Sequence, residues 1–391
     1  MFPMSTTSIL SRCVATSRQP RLFQCTAKAA TAFASCGTAG AFATTAATED
    51  VRKTTMSLSP NSTNGKQKNR HRLGTLRVVG PDGHGILAAC TRVLNNHGCN
   101  IVKHEQWTDT DIRQNMFFQR VSFHYNNGNG NSSGNHTFGG TDTTATTTTT
   151  VDKVACEKQL KELLLPSNND LKTLWDWGDR RKKLGILVSK YDHCLWELLL
   201  RHKARELDAD IEVVISNHET LRPVAETFGI PYHVTPVEAS SDTNSNNNSS
   251  VVLPPHEAKQ LELLKDYDVD VVVLARYMQI LSPEFLDQFP PDGIINIHHS
   301  FLPAFSGGSP YHQAHERGVK LIGATAHYTT GVLDDGPIIE QDVAIVSHRD
   351  SVKQLIKKGR VLERNVLLKA IEAHLDDRII VHGNRCVVFG D

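Results

Sequence analysis

Apolar positions along this chain follow two kinds of spacing, which together predict strands and helices in two regions. Alternating or β-branched runs are typical of strands, and apolar residues at helical spacing are typical of helices. In the first region the predicted strands are Leu76–Val79, Asn100–Glu105 and Met116–Tyr125, with an edge element at Leu171–Trp177, and the predicted helices are Ile86–Asn96 and Ala155–Leu165. We therefore place a small domain at residues 73–177.

The second region, residues 184–391, alternates strands and helices more regularly. Its predicted strands are Leu184–Ser189, Ile211–Ser216, Tyr232–Thr235, Asp270–Ala275, Ile294–His298, Ile322–Tyr328 and Ile338–Val346. Its predicted helices lie near residues 192–206, 219–228, 255–266, 310–317 and 351–375. This alternation favours a parallel, twisted sheet, so the sequence predicts an α/β domain.

Three segments lack an apolar period. Residues 1–72 begin with a stretch rich in Ala, Ser and Thr that has basic residues but no acidic residue before Glu49. This composition is typical of an organellar transit peptide followed by a polar linker, and spaced arginines favour a mitochondrion over a plastid. A plain disordered tail is the alternative. Residues 126–150 and 238–250 are rich in Asn, Ser and Thr, which indicates two flexible insertions.

Charge and cysteine content exclude several classes of protein. Lys plus Arg and Asp plus Glu number 42 each, so nothing indicates a surface for nucleic acid or for a membrane. The eight cysteines form no C-x-x-C pair, which argues against a zinc site and against a disulfide framework. No apolar run reaches about 18 residues, so we expect no membrane-spanning segment.

Polar side chains interrupt an apolar stretch that begins at Gly293. Asn296, His298 and His299 lie in or directly after a predicted buried strand, where burial is costly unless each group finds a hydrogen-bond partner. The next strand leads to Asp334 and Asp335. An amide, an imidazole and a carboxylate on rigid supports suffice for acyl chemistry without a metal. Taken singly, a hydrogen-bonded core histidine or an ordinary turn would explain each feature.

Taken together, these motifs resemble a known family. The pattern N-x-H…L-D-x-G-P resembles that of the folate-dependent formyltransferases, and N-I-H-H-S-F-L-P-A-F with P-Y-H-Q-A-H-E-R-G-V is similar to the hydrolytic branch of that family. The resemblance runs from Leu73 to the C-terminus, outside the two insertions. It implies a Rossmann-like formyltransferase sheet preceded by an ACT-like, ferredoxin-type α+β domain. It also implies hydrolysis of 10-formyltetrahydrofolate to tetrahydrofolate and formate, without a cofactor or a metal.

The resemblance also assigns roles to residues. Asn296 would donate an N–H to the developing oxyanion, His298 would donate a proton or hydrogen bond, and Asp334 would hold that imidazole and orient the water. We prefer Asp334 to Asp335 because it is the first Asp of L-D-x-G-P. The folate pocket is expected to include Arg276, Tyr277, Met278, Ile280, Leu281 and Gly336, with the pterin bound mainly by the backbone of Tyr277 and Ile280.

The turn after the first strand of the second region bears on the formyl acceptor. A nucleotide-binding sheet places glycines there so that backbone amides reach a phosphate, but Ser189–Leu195 contains none. We therefore expect water to be the acceptor. The alternatives are a formyltransferase acting on an amine, a catalytically inactive sensor of folate and amino acids, and a metal hydrolase. The last would use His298, His312, His315 or His327 with Asp334, but their spacing matches no ligand pattern.

The small domain has a candidate effector site. Its first strand is followed by Gly80-Pro81-Asp82-Gly83-His84-Gly85, and glycines there permit a tight turn whose amides face a carboxylate. We name Gly80, Asp82, Gly83 and Gly85 as candidate residues for an amino-acid effector, with a simple turn as the alternative. ACT domains bind amino acids at dimer interfaces, so the resemblance also implies a homo-oligomer.

Overall fold

The structure is a computed structural model that describes residues 72–110, 115–127, 150–164, 170–237, 253–304 and 310–390. The predicted transit peptide and nearly all of its linker lie outside the described residues. So do almost all of the insertion at 126–150 and the whole of the insertion at 238–250. Within the described part of the chain, no helix is long and apolar enough to span a membrane.

An antiparallel sheet of four strands carries the first part of the described chain. Its elements are β1 (Arg72–Pro81), α1 (Ile86–Asn96), β2 (Asn100–Asp109), β3 (Met116–Tyr125), α2 (Lys153–Leu164) and β4 (Lys172–Asp176). The strand order is β2-β3-β1-β4, and the chain order βαββαβ is that of ferredoxin-like domains. Buried side chains of β1, β3 and both helices, among them Leu76, Val93, Phe123 and Leu160, form its core.

A sheet of seven strands carries the second part. Its elements are β5 (Lys182–Val188), α3 (His193–Ala204), β6 (Ala209–Ser216), α4 (Arg222–Thr227), β7 (Tyr232–Val234), α5 (Pro255–Asp266), β8 (Val271–Leu274), α6 (Pro283–Leu286), β9 (Ile294–His298), α7 (Pro310–Glu316), β10 (Leu321–Tyr328), β11 (Ile338–Ile345) and α8 (Val352–Leu375). The strand order is β11-β10-β9-β8-β5-β6-β7. A hairpin of β12 (Ile379–His382) and β13 (Arg385–Val388) follows.

The prediction of a wholly parallel sheet was wrong at one edge. The strands β9, β8, β5, β6 and β7 are parallel, but β10 is antiparallel to both β9 and β11. The physical reason is that apolar alternation identifies a strand without giving its direction. This antiparallel edge brings His327 of β10 opposite Asn296 of β9.

Helix α8 closes one face of the large sheet. It begins with a capping box, in which Ser351 and Gln354 satisfy each other's backbone amides. Buried residues at helical spacing, including Leu355, Leu362, Val366 and Ile371, join the main core. The same helix carries two buried polar residues, Glu363 and His374, into that core.

The C-terminal end of α8 meets the small sheet, and residues 67–391 form one unit. Arg120 of β3 donates hydrogen bonds to the carbonyl oxygens of Asp376 (2.7 Å) and Asp377 (3.0 Å). Arg77 of β1 donates to Ile379 O at 2.7 Å. The carbonyls of Asp376 and Asp377 lie directly after the last turn of α8, and a cationic side chain is favourable there because this end of a helix leaves carbonyl groups without intrahelical partners. An arginine of the small sheet therefore satisfies carbonyl groups at the C-terminal end of α8.

The burial of His374 leads us to predict that the free energy of unfolding decreases in mild acid. Burial lowers the pKa of His374 from 6.5 to about 3, and its Nδ1 lies 2.8 Å from the Tyr328 hydroxyl. Between these two values the unfolded chain binds a proton that the folded chain does not. The neutral, buried His374 therefore contributes its full stabilisation above the pKa of the unfolded chain, 6.5. That contribution is lost as the pH falls toward the pKa of about 3 in the folded chain. Between pH 7 and pH 5 this single group accounts for about 2 kcal/mol of unfolding free energy.

The measurement is urea unfolding of the parent and of His374→Gln at pH 7 and pH 5. The variant is expected to lose less stability than the parent between the two pH values, by about 2 kcal/mol. His348→Gln, at an exposed position, is the control and should keep the parent's pH dependence. A His374 variant with the parent's full loss would contradict the assignment.

Candidate active site

Strand β9 presents two polar side chains on one face of the large sheet. Ile295 and Ile297 enter the main core, so Asn296 and His298 face the other way because side chains alternate along a strand. His298 is the last residue of β9 and is buried, while Asn296 is half-buried. The sequence places an amide and an imidazole two positions apart, and the strand keeps them side by side.

A loop between β10 and β11 brings a carboxylate to His298. Asp334 Oδ1 lies 3.1 Å from His298 Nδ1, and both side chains are about nine-tenths buried, whereas Asp335 is exposed. Asp334 has a left-handed backbone with φ 58°, which Asp adopts more readily than most residues. Gly336 holds the loop against β10, since a Cβ there would lie 1.7 Å from Tyr328 O. The backbone of this loop thereby holds the Asp334 carboxylate beside His298.

The charge of Asp334 determines how His298 is oriented. The hydrogen bond with His298 holds the pKa of Asp334 below its ordinary value, so this carboxylate is ionised at neutral pH. An ionised carboxylate only accepts hydrogen bonds, and Nδ1 of His298 must therefore be the donor. The opposite nitrogen, Nε2, is buried and has no hydrogen-bond partner among the described residues. This nitrogen can donate to a reactant when it is protonated.

His327 orients the amide of Asn296. Its Nδ1 lies 2.9 Å from Tyr328 O, which only accepts, so Nδ1 carries the proton. Burial lowers the pKa of His327, so the ring is neutral and Nε2 is an acceptor. Asn296 Nδ2 lies 3.2 Å from that Nε2 and donates to it. Among the described residues the second N–H of this amide has no partner, so it can donate to a ligand oxygen, as an oxyanion donor must.

The role of His327 does not follow from the sequence, in which this residue is a candidate only for the metal-hydrolase alternative. A slip in register against β11 occurs between Ala326 and His327. Such bulges re-aim side chains beside active sites. The alternation of β10 alone gives no sign of this slip.

All of the candidate folate residues except Gly336 directly follow β8, and they differ in exposure. Tyr277 and Leu281 are buried, and the Tyr277 hydroxyl accepts a hydrogen bond from Gln260 Nε2 at 2.8 Å. Met278 and Ile280 are 49% and 73% exposed, so these apolar side chains are free to pack against a ligand. Since β8 and β9 are parallel neighbours, this segment leaves the sheet at the same edge as His298.

Arg276 differs from the other candidate folate residues, because its side chain is directed inward. Its Nε lies 3.3 Å from Glu363 Oε2, and both side chains are at least nine-tenths buried. Glu363 also accepts a hydrogen bond from the Tyr311 hydroxyl at 2.6 Å and contacts His193 Nε2 at 2.8 Å. Sequence reasoning missed this cluster because its members are far apart along the chain.

Part of this cluster has the spacing of a metal site. Ligand atoms of His193, Cys194 and Glu363 lie within 4.8 Å of one another. However, Tyr311 and His193 already bind the two oxygens of Glu363, and Arg276 adds a positive charge beside them. Burial raises the pKa of Cys194 well above its ordinary value, whereas metals bind the thiolate. The residues therefore do not suit a cation.

In the glycine-rich turn of the small domain, two backbone N–H groups already have protein hydrogen-bond acceptors. Gly85 has φ 85° and directly precedes α1. The Gly83 N–H donates to Asp82 Oδ1 at 2.9 Å, and the Asp82 N–H donates to Asn115 O at 2.7 Å. A Cβ at Gly80 would lie 2.8 Å from Leu171 Cα, so this glycine permits close packing. The four candidate effector residues thus lie at or beside a single turn between β1 and α1.

Fold and site together define a class of protein. A Rossmann-like sheet with Asn296 and His298 on β9 and Asp334 on the loop after β10 is the arrangement expected of a formyltransferase fold. Residues 182–371 match the Formyl transferase family. The chain belongs, more narrowly, to the formyltetrahydrofolate deformylase family, because relatives of that name are 43% identical over 81% of its length. This membership confirms the resemblance from which the site residues were named.

Relatives of that name match most of the chain. The formyltetrahydrofolate deformylase of Synechocystis sp. is 43% identical over 317 residues, which cover 81% of this chain and 98% of that protein. The enzyme of Bacillus subtilis is 43% identical over 316 residues, covering 81% of this chain and 93% of that one. A crystal structure of a formyltetrahydrofolate deformylase from Pseudomonas syringae is 37% identical, with a TM-score of 0.69, and covers 82% of this chain and 95% of that one.

Proposed function

We propose that this chain hydrolyses 10-formyltetrahydrofolate to tetrahydrofolate and formate. The observation that carries the proposal is the pairing of His298 with Asp334 at 3.1 Å, beside an Asn296 amide with one N–H left free. The family of the chain and the names of its relatives agree with this reaction. Its place in metabolism would be the balance of the one-carbon folate pool.

The reaction needs three groups, and the site has one for each. The oxygen of water forms a bond to the formyl carbon, and the carbonyl oxygen gains negative charge that Asn296 stabilises through its free N–H. The bond between that carbon and N10 of the folate then breaks. The leaving nitrogen takes a proton, which His298 is placed to donate through Nε2. Asp334 keeps His298 in orientation, and its remaining oxygen can accept a hydrogen bond from the water. The proton that the water loses on attack replaces the one that His298 donates, and formic acid then releases a proton to solvent to give formate.

The turn after β5 favours water over a phosphorylated acceptor. The first residues of α3, namely His193, Cys194 and Leu195, are buried and bulky. Their side chains occupy the helix N-terminus, where a nucleotide-binding sheet has glycines and a phosphate. A transferase acting on an amine and an inactive sensor are the remaining alternatives, and the complete site argues against the second.

The test is a product assay with the purified chain and 10-formyltetrahydrofolate, without any acceptor. Formate and tetrahydrofolate are expected in equal amounts, and chelation of divalent metals should not change the rate. Glycinamide ribonucleotide is then added as a competing acceptor. If it became formylated at a rate comparable to formate release, the chain would be a transferase. A folded chain that binds folate without turnover would be a sensor.

Several expectations about partners and location remain predictions. They are an amino-acid effector at Gly80, Asp82, Gly83 and Gly85, a homo-oligomer, and a mitochondrial location. The identification of the small domain as an ACT domain also remains a prediction, and what is observed is a small antiparallel sheet with two helices.

A further inference from the structure

The side chain of Arg276 occupies the place where open α/β sheets usually bind a ligand. From β5 the chain continues to β6 on one side, while β8 pairs with the other side of β5. The carboxyl ends of β5 and β8 therefore flank a change in strand order, and ligands usually enter the crevice there. We call this space the switch-point crevice. Arg276 lies just beyond the end of β8, with a buried side chain.

The backbone of Arg276 is strained, and the surrounding residues hold it in place. Its φ is 64°, in the left-handed region that costs a non-glycine residue roughly 1 kcal/mol or more. The guanidinium lies 4.9 Å from the ring centroid of Tyr191, and its Nε lies 3.3 Å from Glu363 Oε2. A glycine would adopt this backbone without strain. The arginine is therefore retained at a cost, which indicates a role for its side chain.

Glu363, a buried residue of α8, anchors this arginine. Burial alone would raise the pKa of Glu363, but the hydrogen bond from His193 and the charge of Arg276 hold it below its ordinary value. Glu363 is thus an ionised, fully buried partner that also receives the Tyr311 hydroxyl. Breaking such a buried ion pair is costly, so the arginine cannot swing out readily.

Hydrogen bonds of Ser189 join the loops beside the same crevice. The backbone N–H of Met278 donates to Ser189 Oγ at 3.0 Å, and Ser189 donates in turn to Asn217 Oδ1 at 2.8 Å. These bonds tie the segments that follow β5, β6 and β8 to one another. Hydrogen bonds therefore hold these three segments together at the carboxyl end of the sheet.

The filled crevice adjoins the catalytic side chains. The ring centroid of His299 is 5.1 Å from that of His298 and 6.2 Å from that of Tyr311, whose hydroxyl binds Glu363. Burial and the charge of Arg276 lower the pKa of His299 to about 3, so His299 is neutral. A single neutral imidazole therefore separates the arginine cluster from His298. An acceptor approaching the formyl carbon from this side would need the space of Arg276.

We propose that Arg276, anchored by Glu363, is the specificity-determining residue that closes the switch-point crevice to acceptor molecules and leaves water as the formyl acceptor. The proposal rests on the hydrolytic function proposed above. In the competing reaction an amine nitrogen would bond to the formyl carbon and lose a proton, while the carbon–N10 bond breaks and N10 gains a proton. The products would be a formamide and tetrahydrofolate, and no oxidant or reductant is needed.

The test measures how the formyl group divides between water and an amine. Parent and variants receive 10-formyltetrahydrofolate and a large excess of glycinamide, and mass spectrometry measures N-formylglycinamide while a coupled assay measures formate. Arg276→Gly removes the side chain and suits the positive φ. We expect its ratio of formamide to formate to rise by at least about 10-fold over the parent, because the amine gains access to the crevice.

Glu363→Gln is the second variant and keeps the size of the side chain while removing its charge. It removes the ionic partner of Arg276 and is expected to raise the ratio of formamide to formate by a smaller factor. If Arg276→Gly does not fold, this variant tests the proposal in its place. The control is Arg180→Ala, which removes an arginine paired with Asp270 at the amino end of the sheet. It should keep the parent's ratio.

Two outcomes would overturn the proposal. One is an unchanged ratio in both crevice variants that still release formate. The other is the loss of both products in a folded Arg276 variant, which would place the arginine in the hydrolytic machinery itself. Failure of the proposed function gives a different result, since the parent would then release no formate in the absence of glycinamide.

Discussion

Formate release by the Asp334→Asn variant is expected to fall by roughly 10³-fold, the largest effect that we expect of any single substitution. Asparagine preserves the size of the side chain but removes the charge. Asp334 is ionised at neutral pH because its hydrogen bond with His298 lowers its pKa. A neutral amide would hold the imidazole less firmly and would no longer favour its protonated, positively charged form. A neutral His298 is a much weaker acid than the imidazolium, so protonation of the leaving nitrogen would become slow.

The measurement is kcat for formate release, with folate binding followed separately by fluorescence. Asp335→Asn is the matched control, because the neighbouring carboxylate is exposed. We expect this control to keep at least half of the parent's activity. If the two variants were equally active, Asp334 would have no part in the reaction.

The second large effect is expected for Asn296→Ala, with a fall in kcat of roughly 10²- to 10³-fold and a smaller change in KM. The reason is that the free N–H of the amide acts on negative charge that develops only during the reaction. The substitution also leaves Nε2 of His327 without its donor, which costs roughly 1–3 kcal/mol of stability. Thermal unfolding must therefore accompany the kinetics.

Asn384→Ala, on the exposed turn between β12 and β13, serves as the control for loss of an asparagine amide. It is expected to leave both kcat and the unfolding temperature near those of the parent. Equal kcat in Asn296→Ala and in the parent would remove the oxyanion role. A fall in KM together with kcat would instead indicate that Asn296 strains the bound substrate.

The fold class was predictable because each element has a clear apolar period. The α/β class and the formyltransferase sheet are confirmed, and the bounds of Met116–Tyr125 and Ile294–His298 agree with the structure to the residue. The hairpin of β12 and β13 was missed, although Gly383-Asn384 between two apolar runs is a hairpin signal. Its strands of four residues are too short for periodicity to reveal.

The catalytic trio could be named because its members occur in two short motifs. The residues around it could not, since each becomes a neighbour only through the packing of distant elements. His193, Arg276, Tyr311 and Glu363 come from α3, the segment after β8, α7 and α8. None of these positions differs, by local pattern, from an ordinary helix or loop residue. Likewise the role of His327 depends on the direction of β10, which apolar alternation does not encode.

The position of the C-terminal hairpin affects how the chain folds while it is being synthesised. Val79, Met116 and Phe118 of the small sheet form an apolar cluster with Ile380 and Phe389. The first three belong to β1 and β3, whereas Ile380 and Phe389 follow α8 and therefore the whole large sheet in sequence. One face of the small sheet thus stays uncovered until the segment after α8 has been synthesised. Although its strands and helices are made first, this domain is completed only after the large sheet has been synthesised.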